Sequence, residues 1–182
     1  MADLRLAQIS TLAELNAAEA ANILDGEHWA MRARRSKVPR MLSDEYLQAL
    51  HQRMYGAVWR WAGPYRRHDT NIGCAFEEIR MRLRLLYDDA AVWIAGEVYE
   101  PREIAARLHH RLVSIHPFVN GNGRLARLYG DVLLARHYRL PRIPWGGGSL
   151  GNADPNRCDY IAALRAADQH DFVPLLRLAR RT

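Results

Sequence analysis

Apolar residues recur at three- and four-residue steps along most of this chain, and no other feature limits its fold as strongly. The segments 43–61, 76–94 and 101–115 all show this spacing; in the first, the stripe consists of Tyr46, Leu47, Leu50, Met54, Ala57, Val58 and Trp61. Such steps place side chains on one face of an α-helix, whereas a strand alternates every second residue. The sequence therefore predicts an all-α fold.

Start and stop signals divide this pattern into separate helices. Ser43 is a helix-capping residue, Gly63-Pro64 ends the segment 43–61, and Pro101 suits a first helical turn. Further helices are predicted over 123–138, from Asp154-Pro155 through 164, and over 173–179. An amphipathic helix that buries Leu12, Leu15 and Ile23 is predicted near the N-terminus.

Two segments lack helical periodicity. Residues 65–73 contain Asp, Asn and Gly and predict a turn or small β-hairpin, and the glycines at 146–148 predict a flexible loop. Neither an internal repeat nor a domain linker is evident. The prediction is one domain over 1–182, with an N-terminal helix and basic connector in 1–42 and the core in 43–182.

The formal net charge of +6 is concentrated in one segment, whose basic residues are Arg32, Arg34, Arg35, Lys37 and Arg40. We interpret this segment as a solvated connector between helices; a nucleic-acid contact is the alternative. Apart from Trp29 it has no interleaved aromatics, which argues against stacking on single strands. Nucleic acid is therefore not among the partners that we expect.

Cysteine use and apolar run lengths indicate where the chain resides. Cys74 and Cys158 lie far apart in no metal-like spacing, which favours two free thiols in a reducing compartment. No signal-peptide pattern and no apolar run of membrane-spanning length is present. We expect a cytoplasmic protein without a membrane partner.

The segment from His116 to Arg127 concentrates the residues suited to catalysis. Pro117 should end a helix at His116, and Asn120-Gly121-Asn122-Gly123 tolerates the positive φ of an anion-binding loop. This loop leads into a helix N-terminus, where free N–H groups favour phosphate. Arg124 and Arg127 add two cations on one helix face, and a histidine can serve as a base near neutral pH. This combination suits phosphoryl-type transfer.

A structural interpretation of the same residues is also open. The Asn-Gly pairs could form only a tight turn between helices, and His116 could be a packing residue. In that case Arg127 would form a surface ion pair with Asp131, one turn further along. These alternatives explain each residue singly, but they do not explain why the residues occur together.

The stretch His-Pro-Phe-Val-Asn-Gly-Asn-Gly-Arg-x-x-Arg resembles the signature of the Fic family, His-Pro-Phe-x-(Asp or Glu)-Gly-Asn-Gly-Arg-x-x-Arg. The residues 59–66, 71–73 and 160–171 resemble the family's upstream helix, its flap and its closing helix. Within the family, the chain is most similar to the bacterial branch called mobile mystery protein B. The resemblance implies a Fic-type helical bundle with a small β-hairpin flap near the active site.

The resemblance also implies a role for each matching residue. His116 would be the base that deprotonates a Ser, Thr or Tyr hydroxyl of a target protein. Phosphates would be bound by Gly121, Asn122, Gly123, Arg124 and Arg127, the last at the γ-phosphate. Thr70, Asn71, Ile72 and Gly73 would form the flap that docks the target. Gly123 matches the adenylylating members, whereas the phosphorylating Doc branch has lysine there. The implied reaction is AMP transfer from ATP, with Mg²⁺.

Asn120 departs from the family pattern, which has Asp or Glu at this position to bind Mg²⁺. An amide oxygen can coordinate Mg²⁺, but it adds no negative charge. Three outcomes follow from this difference: an enzyme with weaker metal binding, a different nucleotide donor, or a binding module without turnover.

Many members of the family are inhibited by a glutamate that pairs with the second motif arginine, here Arg127. It lies in a helix that reads (Ser or Thr)-x-x-x-Glu-(Gly or Asn). The run Ser10 to Glu14 matches this pattern except that Leu15 follows, and Glu19 is a second candidate. An ordinary amphipathic helix is the alternative. Nothing after Asp171 is acidic, so a C-terminal inhibitor is not expected. An antitoxin-like regulator is a further partner that the resemblance allows.

Overall fold

The computed structural model describes residues 3–32, 38–145 and 155–180, and these form an all-α architecture. Its helices are α1 Leu12–Arg32, α2 Val38–Met41, α3 Asp44–Tyr55, α4 Ile79–Ala95, α5 Pro101–Ile115, α6 Asn122–Leu133, α7 Pro155–Asp168 and α8 Val173–Arg180. A 3₁₀ turn, Phe76–Glu78, precedes α4, and a π-helical turn, Leu134–Tyr138, continues α6. The predicted fold class is thus confirmed. The glycine loop after 145, the capping Asp154, and Arg34, Arg35 and Lys37 lie outside the described residues.

The first core helix starts where the sequence predicted but ends earlier. Ser43 caps α3 by accepting a hydrogen bond from the Tyr46 N–H at 3.2 Å. The helix stops at Tyr55, so the prediction that it continues to Trp61 was wrong. The reason is tertiary: the Ala57 N–H donates to Asn22 Oδ1 of α1 at 2.9 Å instead of continuing the helical ladder.

Helix α1 packs closely against α3. A Cβ on Gly26 would lie 2.8 Å from Met54 Cα, so only glycine allows this approach. The fully buried residues are Asn22, Gly26 and Ala30, whereas of the predicted apolar stripe Leu15 and Ile23 are partly buried and Ile23 packs against the core. Leu12 is 72% exposed, which contradicts its predicted burial, because the helix meets α3 through small and polar residues.

Helices α5 and α6 form the centre of the molecule. The buried residues of α5 include Ile104, Leu108 and Leu112, and those of α6 include Leu125 and Tyr129. This packing fixes the end of α5 beside the start of α6. A second apolar cluster, which includes Trp145, Tyr160 and Leu175, holds α7 and α8 against α5. Among the described residues, no helix is long and apolar enough to cross a membrane.

The predicted β-hairpin at 65–73 is absent. The described residues form no strand, and their one β-bridge joins Leu4 and Trp59, outside this segment. Instead, the flap segment 65–75 is a loop that wraps around the side chain of Arg66. The guanidinium donates to the carbonyls of His68 and Cys74. In a β-hairpin, these carbonyls would accept hydrogen bonds from the opposite strand.

Candidate active site

His116 lies at the C-terminus of α5, as the following proline predicted. Its φ of 53° and ψ of 58° are left-handed, and its N–H still donates to the Leu112 carbonyl at 3.0 Å. For a non-glycine residue this conformation costs about 1 kcal/mol. The surrounding contacts must therefore hold the histidine there.

The His116 imidazole is half-buried. Its Nδ1 atom is buried without a well-formed hydrogen bond, and the Val113 backbone is the group that interacts with the ring. Burial lowers the pKa of His116, the Arg66 charge lowers it further, and the Val113 backbone opposes part of this fall. A lowered pKa keeps the imidazole neutral at pH 7, which is the form that accepts a proton.

Asn122 shapes the loop between α5 and α6. Its buried side chain accepts from the Phe118 N–H at 2.9 Å and donates to the Phe118 carbonyl at 2.8 Å. The side-chain amide is therefore used within the loop, so only the backbone N–H of Asn122 can face a phosphate. Gly121 has a φ of 78°, and a Cβ there would lie 2.5 Å from the Tyr55 ring. Glycine is required at this position.

The sequence predicts that the N-terminus of α6 binds an anion, and we call this first turn, together with Arg124 and Arg127, the cradle. The helix begins at Asn122 after the N-cap Gly121, so no side chain of the N-cap residue takes up the N–H groups of the first turn. A Cβ on Gly123 would have only the Tyr160 hydroxyl nearby, at 4.0 Å. This opening leaves room for an anion at the positive end of the helix, which the dipole favours.

The two arginines of the cradle have different neighbours. Arg124 lies 3.7 Å from Glu19, and Arg127 lies over the Tyr160 ring at 5.4 Å. The alternative pairing of Arg127 with Asp131 is wrong, because Asp131 is buried and bonded elsewhere. It accepts from the Ile143 N–H, the Trp145 Nε1–H and the Arg142 guanidinium at 3.0, 3.1 and 3.3 Å.

His51 also supports the loop, a role that no sequence pattern predicts. Its Nδ1 accepts from the Gly63 N–H at 2.9 Å, which leaves Nε2–H to donate to the Asn120 carbonyl at 3.1 Å. The ring stacks on Phe118 with centroids 3.7 Å apart. Burial lowers the pKa of His51 to about 4, so this neutral form persists at physiological pH.

Asn120 is exposed at the rim of the loop. Its Oδ1 accepts from the Gly121 N–H at 2.8 Å and keeps one lone pair for another partner. Among the described residues, no group of three His, Cys, Asp or Glu side chains could hold a metal ion. Any cation here would rely on Asn120 together with ligands from a bound phosphate and water, an arrangement that suits Mg²⁺.

The two candidate inhibitory glutamates lie in different surroundings. Glu14 accepts from the N–H groups of Ser10 and Thr11 at 2.9 and 3.0 Å and so caps its own helix. These bonds lower its pKa. Glu19 instead accepts from the Trp59 Nε1–H at 2.7 Å and faces Arg124. Of the two, only Glu19 reaches the cradle, and it pairs with Arg124, the first motif arginine, rather than with the second, Arg127.

One cavity of about 930 Å³ joins these parts. Its lining includes Glu19, the flap residues Asn71, Ile72 and Gly73, the motif residues His116, Asn120, Gly121, Asn122, Gly123, Arg124 and Arg127, and the α7 residues Arg157, Tyr160, Leu164, Arg165 and Asp168. Thr70 is not part of this lining; its hydroxyl donates to the Ile72 carbonyl at 2.6 Å and stabilises the flap turn. The structure thus brings His116, the start of α6 and the two motif arginines onto one cavity.

This geometry defines a helical domain in which a histidine, a glycine-rich helix start and two arginines line one cavity. The sequence model of the Fic/DOC family matches residues 41–134, more than half of the chain, and the chain belongs to this family. The branch within the family stays a prediction.

Similar proteins agree with this assignment. The protein adenylyltransferase Fic of Drosophila sechellia is 33% identical over 132 residues, which cover 70% of this chain and 25% of that protein. The protein adenylyltransferase Fic of Nematostella vectensis is 38% identical over 85 residues, or 47% of this chain and 18% of that protein. This chain therefore spans about a quarter or less of these relatives. The N-terminal Fic domain of a Bartonella quintana protein, solved with bound ADP, has a TM-score of 0.70 at 17% identity and covers 95% of this chain and 86% of that one.

Proposed function

We propose that this protein transfers AMP from ATP to a Ser, Thr or Tyr hydroxyl of a target protein. The observation that carries the proposal is the single cavity lined by His116, by the start of α6 and by Arg124 and Arg127. Relatives named protein adenylyltransferase and a structural neighbour with bound ADP support both the reaction and the nucleotide.

The arrangement suits one displacement step. The neutral His116 imidazole accepts the proton of the target hydroxyl, and the hydroxyl oxygen attacks the α-phosphorus. The new oxygen–phosphorus bond forms as the bond to the departing pyrophosphate breaks. The α6 N–H groups with Gly121 and Gly123 would stabilise the α- and β-phosphates, Arg124 the phosphate chain, and Arg127 the γ-phosphate. The flap residues 71–73, beside His116, would align the target segment.

Asn120 would be the protein ligand of Mg²⁺ through its amide oxygen. The bound ion would supply positive charge to the phosphates. A target protein and an antitoxin-like regulator are the partners that we propose, and the cytoplasm is the location.

The direct test is incubation of the purified protein with labelled ATP, GTP, CTP and UTP beside a bacterial lysate. We expect label from ATP on one or a few proteins, and about 10²- to 10⁴-fold slower labelling with a His116→Asn variant. Label transfer that is equal in both proteins would contradict the proposal.

A second function, a nucleotide- or protein-binding module without turnover, is favoured by one observation. Asn120 presents an amide where the family pattern has a carboxylate, so the proposed metal ligand carries no formal charge. ATP binding without transfer, under all four nucleotides and at saturating Mg²⁺, would establish this alternative.

Arg127 provides a test of the phosphate assignment. Because its proposed contact is the γ-phosphate, Arg127→Ala should weaken ATP binding about tenfold while AMP binding changes little. Arg165→Ala removes a cation from the same cavity on α7 and serves as the control. Fluorescence titration with labelled nucleotides measures both affinities. Equal weakening of ATP and AMP would show that Arg127 does not contact the γ-phosphate.

Glu19 is the proposed inhibitory residue, because its carboxylate pairs with the Arg124 guanidinium, which would otherwise bind the phosphate chain of ATP. Glu19→Gln removes the ion pair and keeps an acceptor for Trp59, so ATP affinity should rise by up to about fivefold, the range of a partly exposed ion pair. Glu14→Gln, on the same helix but outside the cavity, is the matched control. Calorimetric titration with ATP measures the effect. A rise in Glu14→Gln that equals the rise in Glu19→Gln would contradict the assignment.

A further inference from the structure

Arg66 is the most completely buried cation that the structure describes near the site. Its side chain is 1% exposed, and its nearest carboxylate, Asp69, is 3.7 Å away and itself 68% exposed. A charge in such a place must be stabilised by other groups. Those groups are backbone carbonyls, and they identify what the residue does.

The guanidinium of Arg66 connects two segments that are separate in the sequence. Nε donates to the His116 carbonyl at 2.7 Å, and NH2 approaches the Ile115 carbonyl at 3.4 Å. On its other side, NH1 donates to the His68 carbonyl at 2.8 Å and NH2 donates to the Cys74 carbonyl. The Arg66 guanidinium therefore connects the end of α5 with His68 and Cys74, which lie on either side of the flap residues 70–73.

Backbone contacts continue this junction. The Arg66 N–H donates to the Pro117 carbonyl at 2.9 Å, and the Cys74 N–H donates to the Ile115 carbonyl at 3.3 Å. Gly73 packs so closely that a Cβ there would lie 2.6 Å from His116 Cβ and 3.0 Å from the Arg66 guanidinium. The flap and the histidine backbone thus touch at the point where Arg66 lies.

We propose that Arg66 is a positioning residue that docks the flap on the His116 backbone, so that the base and the target-docking segment form one unit. The proposal rests on the proposed transfer reaction. Its physical basis is the left-handed conformation of His116, which needs external support. The Nε donor holds the His116 carbonyl in that conformation, while the other donors hold the flap beside the ring. Lysine cannot replace this fork, because it has one nitrogen and no planar pair of donors.

The charge of Arg66 gives this role a signature. The positive charge contributes to the lowered pKa of His116. The other charged or titratable groups around the same cavity are Glu19 of α1, Cys74 of the flap, His110 of α5, Arg124 and Arg127 of α6, and Arg157, Tyr160, Arg165 and Asp168 of α7. A neutral residue at position 66 removes one charge and leaves these other groups in place. A change in the pKa of His116 in such a variant therefore measures the effect of the Arg66 charge.

The experiment compares Arg66→Lys, Arg66→Gln and the control Arg67→Gln, which removes an exposed neighbouring arginine. NMR follows the titration of His116, assigned by its loss in His116→Asn, and the hydrogen exchange of the Cys74 amide. We expect a raised His116 pKa in Arg66→Gln only. We expect Cys74 exchange at least tenfold faster in both Arg66 variants, with ATP affinity within twofold of wild type and kcat about tenfold lower. Arg67→Gln should match wild type throughout.

Two results would overturn the proposal. One is an unchanged His116 titration and unchanged Cys74 exchange in folded Arg66 variants. The other is a lowered melting temperature with unchanged kcat below it, which would make the role structural only. If Arg66→Gln does not fold, Gly73→Ala tests the same junction from the flap side, and unaltered His116 signals there would count against it. The NMR readouts need no turnover, so a wild-type protein without transfer would refute the proposed function and leave these readouts decisive.

Discussion

His116→Asn should lower the rate of transfer by about 10²- to 10⁴-fold, the range that a positioned general base supplies. Asparagine is the informative substitute because His116 has left-handed backbone angles, which asparagine tolerates better than alanine does. The variant therefore removes the base without adding backbone strain. Single-turnover measurement of label transfer to the target, with the melting transition recorded in parallel, checks this expectation.

The pH dependence tests the same assignment. Because the pKa of His116 is lowered, the midpoint at which the rate falls with decreasing pH should lie below the ordinary histidine value near 6.5. The rate falls there because the half-buried imidazole becomes protonated and can no longer accept a proton. His116→Asn should lose this acid limb. A variant with normal transfer, or one whose ATP binding and melting transition are both lost, would show that His116 is a structural residue instead.

The helices could be predicted because their signals are local. Ser43 and Pro101 mark helix starts by chemistry within one turn, and the periodic stripes of α4 and α5 reappear as buried faces. The end of α3 could not be predicted, since the Asn22 side chain that receives the Ala57 N–H is far away in the sequence. Because the apolar spacing continues to Trp61, the sequence shows no sign that the helix ends at Tyr55.

The candidate site likewise has one part that the local sequence predicts and another part that depends on contacts between distant residues. The loop from His116 to Arg127 is contiguous, so its residues had to lie together, and the structure places them on one cavity. The flap differs because its shape depends on a buried arginine. In a chain with 26 lysines and arginines, nothing local separates Arg66 from a surface cation. His51 is similar: its position beside the Asn120 carbonyl follows from the packing of α3 on the loop.

Asn120→Asp should strengthen Mg²⁺ binding in the presence of ATP by about ten- to thirtyfold. The substitution keeps the acceptor for the Gly121 N–H and adds one negative charge at the exposed rim of the cradle. At an effective dielectric constant near 20, unit charges 4 Å apart interact by about 4 kcal/mol. Desolvation and solvent screening remove much of this, so we expect a net gain of about 1.4 to 2 kcal/mol, which corresponds to that increase in affinity.

The measurement is titration of Mg²⁺ against labelled ATP bound to each protein, followed by transfer rates across the same Mg²⁺ range. Asn71→Asp adds the same charge to the flap side of the cavity and is the matched control. If metal occupancy is the only defect of the wild type, the variant should be faster at low Mg²⁺, and the two rates should converge at high Mg²⁺. An equal gain in Asn71→Asp would mean that the added charge acts through the cavity as a whole. Unchanged Mg²⁺ dependence in Asn120→Asp would show that the metal is not bound at this position, because a carboxylate beside the ion could not leave its affinity unaltered.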